Sequence, residues 1–336
     1  MFDFIPTEYF LLAFGFLLLI KGGDMFVEAA SAIAKRFHLP ELLIGATVVS
    51  IGTTLPEVMT SAMGAIGGSG EIAYGNAVGS IICNTALIAA ITLSVKPAKV
   101  DKRTLVFPVL FFFGTAIYYV LCAYVGGYFA RWMGIVLLAG FVFYMVMNVI
   151  NMKKNPAETE LVPSEENVTE EKTSKFGLVK DLVVLILGAA LIALGAYLLV
   201  ESATAIASQL GVPESVIALT VVAIGTSLPE LVTAITSLLK GHGALSLGNI
   251  IGANIFNLVL VSGVSIAISP FPIPENSMLF GQNASLVLDL PIMLGVMALM
   301  TLPALLRGKL ARWQGISLLC IYFAFMLTQF VFVRAV

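Results

Sequence analysis

Charged residues are scarce in this sequence. They make up 11% of the 336 residues, whereas soluble domains usually carry about 25%. In contrast, 59% of the residues are hydrophobic, and the mean hydropathy is +1.01. A formal net charge of −2 also leaves no basic surface for nucleic acid. These shortages exclude a soluble enzyme, a disordered chain and a nucleic-acid binder, and they indicate an integral membrane protein.

Cysteines and catalytic motifs are also few or absent. The three cysteines, Cys83, Cys122 and Cys320, form no closed disulfide framework, and their apolar surroundings predict small buried residues. No G-x-S-x-G, HExxH, P-loop or CxxC pattern occurs in the sequence. We therefore expect a transporter without a cofactor rather than an enzyme.

The apolar runs have the length of membrane-spanning helices. Ten spans are predicted, near residues 8–33, 41–66, 72–95, 104–124, 132–150, 178–207, 214–239, 244–269, 284–304 and 313–333. Of the 18 Lys and Arg residues, 15 fall in the loops of one side, whereas only Arg131 and Arg334 fall on the other. Because basic loops stay in the cytoplasm, we expect both termini to lie outside.

One long hydrophilic stretch divides the chain. It contains two prolines and six glutamates between about Asn151 and Lys175. The composition favours a flexible linker over an acidic cation sensor, because it lacks the spacing of a calcium-binding loop. We therefore divide the chain into 1–150, a cytoplasmic acidic linker at 151–177, and 178–336.

An internal repeat relates the two halves at an offset of 173 residues. Residues 28–84 align without a gap to residues 201–257, with 25 identities among 57 pairs. The closest blocks are TVVSIGTTLPE against TVVAIGTSLPE, and GNAVGSIICN against GNIIGANIFN. Each half holds five spans, an odd number, so the two copies cross the membrane in opposite directions. The sequence thus predicts an all-α membrane protein of ten transmembrane helices, arranged as two inverted five-helix repeats with a site near the midplane.

Two glutamates related by the repeat lie deep within predicted spans. Glu57 and Glu230 end the GTTLPE and GTSLPE segments. A carboxylate at membrane depth is costly and usually faces the bundle interior or a watery path. Two such charges match one Ca²⁺ or two Na⁺, which prefer oxygen ligands. A duplicated scaffold alone would not explain why the similarity falls on polar, Gly and Pro positions.

The residues around these glutamates supply oxygen atoms. Pro56 and Pro229 are predicted helix breaks that free carbonyls, including those of Thr53 and Thr226. Hydroxyls on the same helical face belong to Ser50, Thr53, Thr54 and Ser227. A proline kink with Ser/Thr bonding to the backbone is the alternative, but it would not require Glu after Pro in both copies.

The G-N-x-x-G segments supply a second polar layer. Asn84 and Asn257 each follow the glutamate of their repeat by 27 residues, and we expect both to line the site. The glycines favour close helix packing, with asparagine as a bond between helices as the alternative role.

The paired G-T-[ST]-L-P-E and G-N-x-x-G-[SA] motifs resemble the alpha repeats of the sodium/calcium exchanger family, within the calcium/cation antiporter superfamily. The matching motifs lie at 44–84 and 217–257, and the resemblance covers nearly the whole chain. The short linker is similar to prokaryotic members. The resemblance therefore implies a monomeric multi-pass protein of the prokaryotic cell membrane.

By position, the resemblance implies a Ca²⁺ site made by the Glu57 and Glu230 carboxylates and the Thr53 and Thr226 carbonyls. It implies Na⁺ sites that share both glutamates and use Ser50, Thr53, Thr54, Ser80, Ala223, Thr226 and Ser227, with Asn84 and Asn257 at the centre. Ala253 stands where relatives often place serine, and some relatives, notably potassium-dependent ones, carry aspartate at the position of Asn257. Both departures leave the stoichiometry open.

We interpret the chain as an antiporter that exchanges Na⁺ for Ca²⁺ by alternating access and expels calcium. A Ca²⁺/H⁺ or other cation/H⁺ antiporter is the first alternative, because membrane carboxylates also carry protons. An intramembrane carboxylate protease is a remote alternative, which the symmetric oxygen lining argues against.

Overall fold

Ten helices follow one another in the computed structural model, which describes residues 7–37, 39–154, 175–209, 225, 227–275 and 277–335. They are α1 (Thr7–Arg36), α2 (Glu41–Ile66), α3 (Gly70–Val95), α4 (Lys102–Gly126), α5 (Arg131–Lys154), α6 (Lys175–Gln209), α7 (Leu228–Leu239), α8 (Gly243–Ile268), α9 (Ser285–Arg307) and α10 (Arg312–Val331). Within the described residues, all except α7 are long and apolar enough to cross a membrane. The predicted all-α membrane fold is confirmed.

The helices lie where the hydropathy of the sequence placed them. The described spans start and end within a few residues of the predicted ones. The seventh predicted span, 214–239, is represented by α7 and the few described residues before it. Most of the predicted linker at 151–177 lies outside the described residues, which resume with α6.

Among the described residues, seven very short strands lie in the loops between helices and after the last helix. They are β1 (Ala98–Lys99), β2 (Tyr128–Phe129), β3 (Phe271–Pro272), β4 (Ser277–Leu279), β5 (Gln282–Asn283), β6 (Lys309–Leu310) and β7 (Arg334–Ala335). Three antiparallel groups form: β1 with β6, β2 with β3, and β4 with both β5 and β7.

The pairing of β2 with β3 limits the number of membrane crossings between them. Strands β2 and β3 pair directly, so they lie on the same side and the chain between them crosses an even number of times. Helices α5, α6 and α8 account for three crossings. An even number requires one more crossing between β2 and β3, where the described residues hold the shorter apolar helix α7, Leu228–Leu239.

Ion pairs gather at the end of the molecule that carries β1 and β6. They join Arg36 to Asp181 at 2.9 Å, Lys240 to Asp24 and Glu28 at 3.2 and 2.6 Å, and His242 to Glu41 at 2.7 Å. Burial lowers the pKa of Lys240, but its bonds with Glu28 and Asp24 outweigh this and raise that pKa. These ion pairs therefore connect α1 to α6 and to the end of α7, and α2 to the start of α8.

Helices α1 and α6 pack against each other over most of their length. A Cβ added at Gly22 would lie 2.9 Å from the Gly188 carbonyl oxygen, and one at Gly15 would lie 3.0 Å from that of Gly195. Gly15 and Gly22 are the repeat mates of Gly188 and Gly195. The close contact of the two helices thus follows the symmetry of the repeat.

Several helices contain a turn of π-helix. Such turns occupy Gly45–Val49, Asn84–Ala89, Cys122–Gly126, Asn257–Val261 and Ser285–Asp289. The turns that begin at Asn84 and Asn257 are repeat mates. Because π turns widen a helix and often occur at functional sites, this symmetric pair marks the middle of α3 and α8 for closer inspection.

Two expectations from the sequence are wrong. Cys320 is exposed on α10, although Cys83 and Cys122 are buried as predicted. Pro56 does not break its helix, because the helix runs through it from Ser50 to Ile66. Pro56 has no backbone N–H, so it donates no hydrogen bond to the Gly52 carbonyl oxygen. The irregular part of the α2 backbone is instead the π turn just before Ser50.

Candidate cation site

Glu57 on α2 and Glu230 on α7 are both completely buried. The two carboxylates lie close enough for the charge of Glu230 to repel a charge on Glu57. None of their four carboxylate oxygens makes a hydrogen bond of ordinary geometry with a described residue, although the Thr53 and Thr54 hydroxyls lie close enough to Glu230 to stabilise its charge. Two buried like charges without partners repel each other and are strongly unfavourable unless a cation or protons accompany them.

Buried hydroxyl groups lie on the same helices as these carboxylates. Ser50, Thr53 and Thr54 are buried on the same face of α2 as Glu57, as their spacing predicted. Ser227, at the start of α7, is also buried. Its hydroxyl and that of Thr54 make no hydrogen bond of ordinary geometry with the described residues. The predicted site residues Ala223 and Thr226 lie outside the described residues.

Pro229 lies in the first turn of α7. Proline is well suited to this position because the first N–H groups of a helix have no intrahelical acceptor. Its mate Pro56 lies within a continuous helix instead. The two repeats therefore present equivalent glutamates on backbones of different local form.

Asn84 and Asn257 begin the two symmetric π turns, and both are completely buried. Neither the oxygen nor the nitrogen of either side-chain amide has a hydrogen-bond partner in the described structure. Helix α2 contacts the turn of Asn257, and α7 contacts the turn of Asn84. Each glutamate helix thus packs on the asparagine turn of the other repeat, which brings the two motifs together.

Ser80 on α3 and its repeat mate Ala253 on α8 are both buried. Ser80 brings a hydroxyl to its position, whereas Ala253 brings none. The difference between the two repeats that the sequence predicts, a hydroxyl in one and none in the other, therefore lies in the buried interior.

Two asparagines contribute more than the sequence indicated. Asn76 donates from Nδ2 to the Glu57 carbonyl oxygen at 3.1 Å and to Ser61 Oγ at 2.8 Å. Its repeat mate Asn249 contacts Ser50 and Thr53 in the opposite half of the molecule. In the sequence, the only sign of these contacts is that Asn76 and Asn249 are the asparagines of the two G-N-x-x-G segments. The sequence does not show which residues they bind.

The buried oxygens and amides offer the ligands that hard cations prefer. Among the described residues, no group of three or more His, Cys, Asp or Glu side chains could hold a metal ion. A cation here would depend on the two carboxylates together with hydroxyl, amide and carbonyl oxygens. Weak, exchangeable binding is what such a donor set supports, in contrast to a permanent site rich in Cys and His.

The chain is similar to known membrane antiporters along nearly its full length. A family model described as "Sodium/calcium exchanger protein" matches residues 7–150 and 180–331. The putative antiporter CaxA of Alkalimonas amylolytica is 36% identical over 318 residues, which cover 94% of this chain and 95% of CaxA. The sodium/calcium exchanger MaX1 of Methanosarcina acetivorans is 31% identical, with 97% and 99% of the two chains covered.

A solved structure supports the same relationship. The sodium-calcium exchanger NCX_Mj, soaked with 2.5 mM Na⁺ and 10 mM Sr²⁺, superposes with a TM-score of 0.78 at 31% identity. The match covers 96% of this chain and 98% of that structure. The sequence resemblance and the fold therefore lead to the same group of proteins.

Proposed function

The chain belongs to the sodium/calcium exchanger family, and from this we propose that it exchanges Na⁺ for Ca²⁺ across a membrane by alternating access. As a member of this family it is a cation/Ca²⁺ antiporter with several membrane spans, and not an enzyme. The proposal adds the coupling ion, the residues that bind the ions and the direction of transport.

One observation carries the proposal. The oxygens of two buried glutamates and the amides of two buried asparagines, related in pairs by the repeat, make no hydrogen bond of ordinary geometry within the described part of the chain. Buried polar groups are nearly always paired in folded proteins, so a cluster of exceptions requires an explanation. Cations that enter and leave this cluster would compensate both negative charges in turn.

The Ca²⁺ ion in this proposal is bound by the Glu57 and Glu230 carboxylates with the Thr53 and Thr226 carbonyls. Sodium ions share the same two carboxylates and use hydroxyls of both repeats, with the central amides beside them. The sodium ligands are Ser50, Thr53, Thr54, Ser80, Ser227 and the backbone of Ala223 and Thr226, with Asn84 and Asn257 at the centre. Because both ions need the same carboxylates, they compete, and competition at one centre is what an exchanger requires.

Alternating access would come from movement of α1 and α6 as a pair. These helices pack closely on each other through small residues, so they can move together against the rest of the bundle. An exchange of three Na⁺ for one Ca²⁺ would carry one net charge, worth about 2.3 kcal/mol per 100 mV. Inward sodium flow would then expel calcium through the cell membrane.

Proton coupling is the second candidate, because buried carboxylates without partners can also bind protons. A carboxylate protease has less support. The two carboxylates are surrounded by inverted pairs of polar side chains, whereas a hydrolase needs only one water-activating pair.

The test is Ca²⁺ uptake by proteoliposomes that contain the purified protein and internal Na⁺. Uptake should start when external Na⁺ is removed, and it should stop when internal Na⁺ is replaced by K⁺. A protonophore should leave the uptake unchanged. Uptake that ignores the sodium gradient and follows an imposed proton gradient would refute sodium coupling.

A further inference from the structure

Asn249 on α8 lies between the two halves of the molecule and is completely buried. The Thr53 hydroxyl donates to Asn249 Oδ1 at 3.2 Å, and Ser50 Oγ lies 3.0 Å from the Asn249 backbone oxygen. Ser50 also donates to the Gly45 carbonyl oxygen at 2.7 Å. One residue of the second repeat therefore contacts two hydroxyls of the first.

These contacts decide which part of a hydroxyl faces the site. A serine or threonine hydroxyl has one proton and two lone pairs. It can ligate a cation only when its proton points elsewhere, because the proton would repel the ion. Asn249 Oδ1 accepts the proton of Thr53, and the nearer Gly45 carbonyl accepts that of Ser50, so the lone pairs of both hydroxyls remain free for an ion.

Close packing holds the Asn249 amide in this place. A Cβ added at Gly248 would overlap the Leu42 carbonyl oxygen, and one at Gly252 would overlap Ser50 Oγ. A Cβ at Gly45, in the π turn of α2, would lie 2.7 Å from the Asn249 backbone nitrogen. Since both helices approach through glycine, the amide has little freedom to move away from Thr53.

We propose that Asn249 is a positioning residue for sodium: its side chain orients the Thr53 hydroxyl of the other repeat as a cation ligand. The inference rests on the proposed function, because it deepens the sodium sites assigned there. Asn249 itself need not touch the ion. Its effect should appear in the sodium dependence of exchange, since the Ca²⁺ ligands on α2 are a carboxylate and a backbone carbonyl.

The experiment is a double-mutant cycle of Asn249→Leu and Thr53→Val, with Na⁺-dependent Ca²⁺ transport in proteoliposomes as the readout. Asn249→Leu keeps the branched shape, though with bulkier methyl groups, and removes the acceptor, so the half-saturating Na⁺ concentration should rise about fivefold, the effect of one net hydrogen bond. The half-saturating Ca²⁺ concentration should change by less than about twofold. Because Asn249 acts through Thr53, the double variant should be no worse than Thr53→Val.

Two further variants separate positioning from general damage to α8. Asn249→Asp keeps the acceptor oxygen and should return the half-saturating Na⁺ concentration to the wild-type value or below it. Asn254→Ile removes another buried amide of α8, bonded to Thr85 and Met297, and installs the residue of the repeat mate Ile81. We expect its sodium dependence to match that of the wild type.

Several outcomes would overturn the inference. They are an unchanged Na⁺ requirement in Asn249→Leu, additive effects in the cycle, an equal loss in Asn249→Asp, or an equal shift in Asn254→Ile. For a variant that folds but does not transport, the Na⁺ dependence of its melting temperature replaces the transport readout. If Asn249→Leu does not fold, Asn249→Ser takes its place in the cycle. Absence of sodium dependence in the wild type would instead refute the proposed function.

Discussion

At the scale of single residues, Glu57 and Glu230 set the energetics of the site. Both carboxylates are fully buried and, among the residues that the structure describes, make no hydrogen bond of ordinary geometry. Each lies in a helix that packs on the other repeat. A buried charge that lacks a partner costs several kcal/mol. Under the proposed function this cost is tolerated, because the groups that destabilise the empty site would be the groups that bind the ion.

Replacing either glutamate with glutamine should abolish exchange and also stabilise the ion-free protein. Glu57→Gln and Glu230→Gln each remove one of the two charges that compensate the cation, so transport should fall about a hundredfold or more. Without ions, however, the melting temperature should rise or stay the same, because a buried repulsion is removed. Saturating Ca²⁺ at 100 times its Kd should stabilise the wild type by about 2.7 kcal/mol and leave both variants nearly unchanged.

Glu8→Gln, at a partly exposed position in the first turn of α1, serves as the matched control for loss of a carboxylate. It should retain both exchange and stabilisation by Ca²⁺. Sodium-dependent exchange that survives in Glu57→Gln or in Glu230→Gln would show that the ions bind elsewhere.

At the scale of helices, glycine sets how closely α1 and α6 approach. Gly22 and Gly188 face each other at one point, and Gly15 and Gly195 face each other at another. In a membrane, close packing of small residues is a main source of helix association, because lipid offers no hydrophobic gain. The glycines at both contacts are related by the repeat, because Gly15 corresponds to Gly188 and Gly22 corresponds to Gly195.

Adding a methyl group at these contacts should separate the two helices. Gly22→Ala and Gly188→Ala would each place a Cβ within about 3 Å of backbone atoms of the other helix. We expect a loss of about 1–3 kcal/mol in stability, as for other overpacked interfaces, measured by thermal unfolding in detergent. Gly114→Ala on α4 is the control, because its Cβ would meet no heavy atom within 4 Å. Equal melting temperatures for all three variants would contradict this view of the interface.

At the scale of the whole molecule, the inverted repeat places equivalent residues on opposite faces. Strand pairs join the α3–α4 loop to the α9–α10 loop, and the α4–α5 loop to the α8–α9 loop. Gly67, after α2, and its repeat mate Lys240, after α7, are therefore at opposite ends of the molecule. Lys240 ends its helix among the ion pairs of the face that the positive-inside rule assigns to the cytoplasm.

Cysteine labelling in right-side-out membrane vesicles tests this arrangement. Gly67→Cys should react with a membrane-impermeant thiol reagent added outside, whereas Lys240→Cys should react only after the vesicles are opened. The unmodified chain provides the blank, since Cys83 and Cys122 are buried and Cys320 lies within a span. Labelling of both variants from the same side would contradict the inverted repeat, and exchanged sides would reverse the predicted orientation.

The sequence by itself determined the spans, the repeat and the glutamates. Hydropathy, basic loops and the offset of 173 residues are properties of the chain that need no folding to be read. They predicted the all-α architecture and indicated Ser50, Thr53, Thr54, Ser80, Asn84 and Asn257, all of which are buried. They failed at Pro56, because neighbouring helices can support a proline inside a continuous membrane helix.

Only the tertiary structure decided how the two repeats meet. Asn249 and Thr53 are 196 residues apart, and their contact depends on glycine-mediated packing between α2 and α8. The π turns at Asn84 and Asn257, and their contacts with the glutamate helices of the opposite repeat, arise in the same way. A local sequence pattern specifies which side chains lie within the membrane. Which distant segments contact each other depends on the packing of the whole helix bundle, and no single segment carries that information.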